Sequence, residues 1–411
     1  MKIVVFGGSG RIGSAVAWDL ARDPEIEEIG LVDRRPDALE RTRAWLGSER
    51  VVCHVLDVAD AAACRTVMAR YDAGALALPD RRSNYRVVEH AIDVGLSIVD
   101  MLEEYHRRPD VHETEGLAVP DGMTLEQYGE SLHVRAMEHG VTLLDGMGFA
   151  PGLSNITVAE GIRKLDRAEG AVARVGGIPE KSAAQSHPLR YMITWAFEHV
   201  LREYAVRLPV RRDGRDVEVE AGSDRESFRF TQFGRDELLE CAITPGMPSF
   251  LHTRPELRDF AEKTVRWPGH WEGVQTLKEC GLLDLAPVRF DGREVVPREF
   301  LLATITPRLA ARPGERDACV MYNTVHGTRG GKPARVEHFL WDEGQPEQGI
   351  SAMMRVTGFP VAIAARLIAR GEIRHAGIVP PEDGIVGELY PKFLAELERR
   401  GIGIAEVVSA G

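Results

Sequence analysis

Six residues near the start of the chain, Gly8-Ser9-Gly10-Arg11-Ile12-Gly13, have the G-x-G-x-x-G spacing of a dinucleotide pyrophosphate site. Gly8 permits a tight turn, Gly10 lets the backbone approach the phosphates, and Gly13 lets a helix pack closely on a strand. Ser9, Arg11 and Ile12 complete the turn, and the free N–H groups where the helix begins favour phosphate charge. Asp33 lies twenty residues beyond Gly13, where an acid bonds the adenosine ribose hydroxyls. An acid there repels a 2′-phosphate, so NAD is expected. Arg34 and Arg35 follow directly and leave NADP open.

The elements that must position these residues are legible around them. Lys2 to Phe6 is an apolar, β-branched run suited to a strand buried on both faces. A helix is expected over 14–21 and a second strand over 29–32, ending on Asp33. The alternation continues: helix 36–46 with Pro36 in its first turn, strand 51–56 ending on Asp57, helix 61–70, strand 74–78 and helix 84–94. Strand 97–99 then runs into Asp100. Thr124-Leu125-Glu126-Gln127 is a capping box that opens a helix to about Glu138, and 141–144 reads as the last strand. This order gives an α/β fold with a doubly wound parallel sheet, whose ligands sit at the carboxyl ends of the strands. Asp57, Val58, Leu78, Pro79, Asp80, Met101, Gly146, Gly148 and Pro151 are therefore candidate neighbours of cofactor or substrate. The polar stretch 106–123, with two prolines, reads as a surface loop.

The 411 residues are 44% hydrophobic and 28% charged, a globular balance with room for two or three domains. A dinucleotide-binding domain is expected over 1–150. A second α+β domain with a mainly antiparallel sheet follows over 151–345, and a helical segment over 346–411 packs back on the first domain. The net charge of −12 argues against nucleic acid or an anionic membrane as the main partner. No apolar run reads as long enough to cross a bilayer. The chain opens on a strand and a glycine turn rather than a leader. Five scattered cysteines without a C-x-x-C pair suit reduced thiols in a cytoplasmic protein. No metal site is expected, since His133 and His139 lie six apart and no H-E-x-x-H is present.

Further motifs carry a resemblance. They are Gly148-Phe149-Ala150-Pro151-Gly152, Gly176-Gly177-Ile178-Pro179, Lys263-Thr264-Val265-Arg266-Trp267-Pro268-Gly269-His270, Thr357-Gly358-Phe359-Pro360 and Gly377-Ile378-Val379-Pro380-Pro381-Glu382. In this order they resemble the saccharopine dehydrogenase-like family. That family includes glutamate-forming saccharopine dehydrogenases, carboxynorspermidine dehydrogenases and L-lysine 6-dehydrogenases. Asp33 and Ala150 look most like the last group, because saccharopine dehydrogenases tend to carry aspartate in place of Ala150.

The resemblance implies hydride transfer between a carbon bearing an amine and a nicotinamide, with a small amino-acid or polyamine-like substrate and a homodimeric enzyme. The amine must be neutral when the hydride leaves, so a base is needed; Glu103, Glu104, His187 and His270 are the candidates. Glu103 and His270 are preferred as catalytic groups, and Glu104 and Asp80 as substrate contacts. Arg266 suits a carboxylate clamp. Gly177 and Ile178 could offer backbone groups, and Tyr191 and Trp195, four apart on an expected helix, could wall the pocket. Two rival readings are a secondary-amine dehydrogenase using NADP and a dinucleotide-binding sensor without turnover.

Overall fold

The computed structural model describes residues 1–109, 117 and 119–410. The strands that begin the chain are β1 Lys2–Phe6, β2 Glu28–Asp33, β3 Val51–Val55, β4 Ala73–Leu76, β5 Ile98–Asp100 and β6 Thr142–Leu144. The later ones are β7 Arg167–Pro179, β8 Arg207–Arg212, β9 Arg215–Glu220, β10 Glu226–Phe230, β11 Glu237–Ile243 and β12 Asp259–Arg266. Then follow β13 Val288–Phe290, β14 Arg293–Val295, β15 Asp317–Arg329, β16 Lys332–Glu343, β17 Gly377–Val379 and β18 Ala405–Ala410. The chain divides into two compact units.

The first unit comprises Met1–Ile156, Met247–Phe250 and Met354–Gly401. Its sheet has the order β17-β6-β5-β4-β1-β2-β3, and every pairing is parallel. Helices α1 Arg11–Leu20, α2 Pro36–Leu46, α3 Ala61–Met68, α4 Arg81–Val94 and α5 Leu125–Glu138 connect the strands. A crossover helix is what a parallel pair requires. The expected capping box at Thr124 forms with Gln127 in both directions. One strand has no counterpart in the sequence reading: β6 is not the last of this sheet, because β17 pairs with it from far along the chain.

The second unit comprises Thr157–Gly246, Leu251–Met353 and Ile402–Gly411. Its main sheet runs β10-β11-β12-β7-β15-β16-β18, with β8 on β12 and β9 on β8. All its pairings are antiparallel except β12 with β7. The expected mainly antiparallel sheet is therefore present. The helical C-terminal stretch is shared: 354–401 lies in the first unit and β18 in the second.

Several local expectations change. The stretch from Tyr191 to Trp195 is not helical, because Leu189 and Arg190 before it adopt left-handed φ of 56° and 50° and Tyr191 is extended. Gly177 and Ile178, expected to offer backbone groups to a substrate, lie inside β7, paired with Cys319 and Ala318 of β15. His106, at the head of the expected surface loop, is fully buried. Positions 110–116 and 118 of that stretch lie outside the described residues. The helix Ala352–Ala369 is, by length and composition, long and apolar enough to cross a membrane, contrary to expectation. Its residues are 89% buried within the protein, as in a core helix.

That helix meets α1 through small residues. A Cβ at Gly358 would sit 2.8 Å from the Cβ of Ala15. Gly358→Val should therefore overpack the first unit, costing about 1–3 kcal/mol. The readout is a thermal melt, with a midpoint lowered by several degrees; an unchanged midpoint would show that the two helices do not meet this closely.

Candidate active site

The dinucleotide turn is built as its glycines require. It leaves β1 at Phe6 and enters α1 at Arg11, and no side chain caps that helix. A Cβ on Gly13 would lie 2.3 Å from the Gly7 carbonyl oxygen, so only glycine lets α1 sit this close. The cradle for a pyrophosphate is present, with uncapped helix N–H groups to meet it.

Asp33 ends β2 beside this turn. Its carboxylate accepts a short hydrogen bond from Ser9 Oγ, and Arg35 donates to it from Nε at 3.2 Å and from the backbone N at 3.1 Å. Burial raises the Asp33 pKa, but the bonds from Arg35 and Ser9 outweigh it and hold the carboxyl below its usual value. Ser9, Ser14, Arg35, Arg41, Thr42 and Trp45 line the adjoining cleft. Arg34 and Arg35 are both exposed, and Arg35 is the one that pairs with Asp33.

The carboxyl ends of β5 and β6 hold a buried polar network. Asp100 ends β5, Asp145 follows β6, and His106 lies between them, each at 0–2% exposure. His106 Nδ1 is 2.6 Å from Asp145 Oδ1, and its backbone N donates to Asp145 Oδ2 at 2.8 Å. His106 Nε2 is 2.7 Å from Asn84 Oδ1, and Asn84 Nδ2 donates to Asp100 Oδ1 at 2.7 Å. Burial alone would lower the His106 pKa. The charge and hydrogen bond of Asp145, helped by Asp100 and Glu104, instead raise it to about 9. Burial pushes Asp100 the other way, up to about 6.

Glu104, expected near the substrate, belongs to the same interior. It is 2% exposed and accepts from Arg81 Nη2 at 2.5 Å and from Tyr85 Oη at 3.1 Å. Glu103 beside it is half-buried. Asp80 is exposed and accepts from Ser83 N at 2.8 Å, the N-cap of α4, which accounts for its carboxylate without a substrate. Asp57 is exposed, Val58, Leu78 and Met101 are half-buried, and Pro79 is exposed. Gly146 and Gly148 are buried in the turn after β6, where Met147 N donates to Asp100 O at 2.6 Å, and Pro151 packs beside Gly146.

In the second unit, Arg266 at the end of β12 is 3% exposed. Its Nε donates to Tyr204 Oη at 3.0 Å, and its Nη1 to the carbonyls of Val265 at 2.9 Å and Gly177 at 3.3 Å. Its guanidinium carbon lies 5.1 Å from the Tyr191 ring centroid and 5.9 Å from that of Tyr204. Among the described residues no carboxylate forms an ion pair with it. His270 completes the chain of bonds: Nδ1 lies 2.9 Å from the Leu189 carbonyl and Nε2 3.0 Å from Tyr204 Oη. A carbonyl only accepts, so Nδ1 carries the hydrogen and Nε2 accepts from Tyr204. Burial, then the charge of Arg266, lowers the His270 pKa to about 3. Expected as a base, His270 is instead a neutral strut with both nitrogens engaged.

The other expected contacts of this unit fall in its packing. Ile178 is fully buried, and Gly177 lies where a Cβ would meet Met353 and Thr194. Tyr191 and Trp195 belong to the cluster around Phe197, Tyr204 and Trp271. His187 bonds the Arg308 carbonyl and Glu315. Sequence reasoning missed Asn84, His106 and Tyr204; only the acids closing adjacent strands, Asp100 and Asp145, pointed towards the first two.

Comparison with known proteins adds the following. Residues 3–144 match the Saccharopine dehydrogenase NADP binding domain, and residues 148–402 the Saccharopine dehydrogenase C-terminal domain. A carboxyaminopropylagmatine dehydrogenase of Synechocystis sp. is 21% identical over 432 residues, covering 100% of this chain and 98% of that protein. A glutamate-forming, NADP(+) saccharopine dehydrogenase of Pyricularia oryzae is 21% identical over 346 residues, covering 67% and 75%. Apo saccharopine dehydrogenase (L-Glu forming) of Saccharomyces cerevisiae superposes with a TM-score of 0.77 at 19% identity, covering 100% of both chains, which shows the shared fold.

The His106 network also links stability to pH. A histidine whose pKa is raised on folding stabilises the protein fully below its unfolded value, about 6.5. That contribution is lost as pH rises through about 9. The stability advantage of the wild type over His106→Gln should therefore shrink between about pH 6.5 and pH 9 in urea titrations. A constant advantage across that window would mean that His106 is not charged in the folded protein.

Proposed function

Because the chain belongs to the saccharopine dehydrogenase family, NAD(P)-dependent dehydrogenases of amino acids and amines, we propose that it oxidises the CH–NH group of an amino acid with a single carboxylate. L-lysine oxidised at its terminal amine, with NAD, is the leading reaction. The observation that carries this reading is Arg266, a buried guanidinium without an acid partner among the described residues. A cation so placed suits one incoming carboxylate. Other deeply placed cations of the second unit already hold acids: Arg174 and Lys263 hold Glu226, and Arg211 holds Asp216. A substrate with several carboxylates would find fewer partners.

The remaining steps follow from chemistry. A terminal amine has a free pKa of about 10.4, so it must first lose a proton. Glu103 is the proposed base, as a half-buried carboxylate in the loop after β5. The bound nicotinamide supplies the hydride acceptor. Loss of hydride and proton leaves an imine, which water converts to ammonia and an aldehyde that cyclises with the α-amine. His270 orients Tyr204, and Tyr204 orients Arg266. Asp33, held ionised, favours NAD because it would repel a 2′-phosphate.

A second reading is a secondary-amine substrate with NADP. It is favoured by the end-to-end similarity to the carboxyaminopropylagmatine dehydrogenase. The deciding experiment follows reduced nicotinamide with NAD or NADP over a panel: L-lysine, L-ornithine, saccharopine, carboxyaminopropyl amines and simple diamines. Turnover of lysine with NAD, and little with secondary amines, is expected. The reverse pattern overturns the first reading in favour of the second, and tight NAD binding without any turnover overturns both.

On the substrate so identified, Arg266→Met should raise KM by about 10–100-fold, the scale of a lost charge-assisted bond. Glu103→Gln should lower kcat by about 100-fold or more, with KM little changed. A Glu103→Gln enzyme with full kcat would remove Glu103 from the mechanism.

A further inference from the structure

We propose that His106 is a positioning residue: as an imidazolium, it holds the loops after β5 and β6 in the conformation that receives the nicotinamide half of the cofactor. This rests on the reading that the nicotinamide lies at the carboxyl ends of those strands.

The hydrogen bonds fix the charge. A carboxylate only accepts, so Asn84 must turn its Nδ2 towards Asp100 and its Oδ1 towards His106. His106 Nε2 therefore carries a hydrogen. Asp145 Oδ1 faces Nδ1 at 2.6 Å, so Nδ1 carries one too. A ring that donates from both nitrogens is an imidazolium.

The groups facing this ring come from every element packed on it. Asp100 comes from β5, and Asp145 from the turn after β6. Glu104 and Tyr105 belong to its own loop, while Arg81, Asn84 and Tyr85 come from α4, with the Tyr85 ring 4.4 Å away. Three buried carboxylates thus face two cations, His106 and Arg81. Removal of the imidazolium charge leaves Arg81 alone among them, and buried like charges repel strongly.

The consequence is transmitted through short contacts. Asp100 O accepts from Met147 N at 2.6 Å, which ties the end of β5 to the turn after β6. A Cβ on Gly146 would meet Pro151 at 3.2 Å and Glu104 O at 3.7 Å, so the two loops lie side by side. The dinucleotide turn and Asp33 stand at the ends of other strands, β1 and β2, where Asp33 is bonded by Ser9 and Arg35. His106 should therefore govern one half of the cofactor and leave the other half alone.

The test separates the halves. His106→Gln and Asp145→Asn are compared with wild type for binding of ADP-ribose and of NADH, or of their 2′-phosphorylated forms if wild type prefers those. Calorimetry and nicotinamide fluorescence are the readouts. ADP-ribose affinity should stay within about twofold, while the reduced dinucleotide binds about tenfold or more weakly, as small displacements of positioning groups produce. Wild-type affinity for the reduced dinucleotide should also fall as pH rises through about 9, and His106→Gln should lack that dependence. Unchanged dinucleotide binding in both variants overturns the proposal. So does parallel loss of ADP-ribose and dinucleotide, which marks a merely structural role. A wild type that binds neither ligand removes the underlying cofactor reading itself, and the proposal with it.

Discussion

The constraint on which the first unit depends is the neutralisation of acids buried at the carboxyl ends of its parallel strands. A parallel sheet gathers strand ends on one edge, and its loops there carry polar groups by necessity. Asp100 and Asp145 close β5 and β6 with exposures of 0% and 2%. Isolated, each would be expensive to keep ionised. His106 and Asn84 resolve this by bonding both, one through a charge and the other through an amide whose orientation is forced. Arg81 does the same for Glu104. The loops after β5 and β6 take their course from these bonds.

One cation of the second unit is treated in the opposite way. Arg266 is as deeply buried, yet among the described residues it meets tyrosines and carbonyls in place of an acid. Such an arrangement leaves a cation partly uncompensated in a low-dielectric interior. Aromatic faces and backbone carbonyls offset part of the cost, and an anion from outside would offset more. The neutral His270 fits this setting. Burial, and after it the charge of Arg266, depresses the His270 pKa and keeps the ring neutral. This contrast is what supports the proposed carboxylate binding at Arg266.

Legibility in the sequence followed the range of the interactions. The six strands β1 to β6 and the capping box at Thr124 rest on contiguous residues and could be read directly. β17 is three residues long and pairs with β6 from more than two hundred residues away, so nothing local announced it. Tyr191 and Trp195 have helical spacing, but left-handed Leu189 and Arg190 keep the backbone extended there. Spacing alone does not register that change. Gly176-Gly177-Ile178-Pro179 reads only as a stretch whose backbone groups could meet a substrate. It is the end of a thirteen-residue strand whose backbone groups pair with β15, and Gly177 leaves room there for Met353 and Thr194. His106 was hidden for a related reason. It opens a polar, proline-containing stretch, and only the partners from α4, β5 and β6 make its burial favourable.

The same distinction explains how far cofactor choice can be argued from residue types. An acid at the end of β2 is the sequence mark of NAD, and two arginines after it are a mark of NADP. The structure separates the two arginines. Arg34 points to solvent, whereas Arg35 folds back on Asp33 together with Ser9. An arginine committed to the acid is not free to bind a phosphate, and an acid so stabilised stays charged. Arg35 and Arg41 both line the cleft beside this acid, so residues of both signs stand where the ribose of an NAD(P) cofactor is expected.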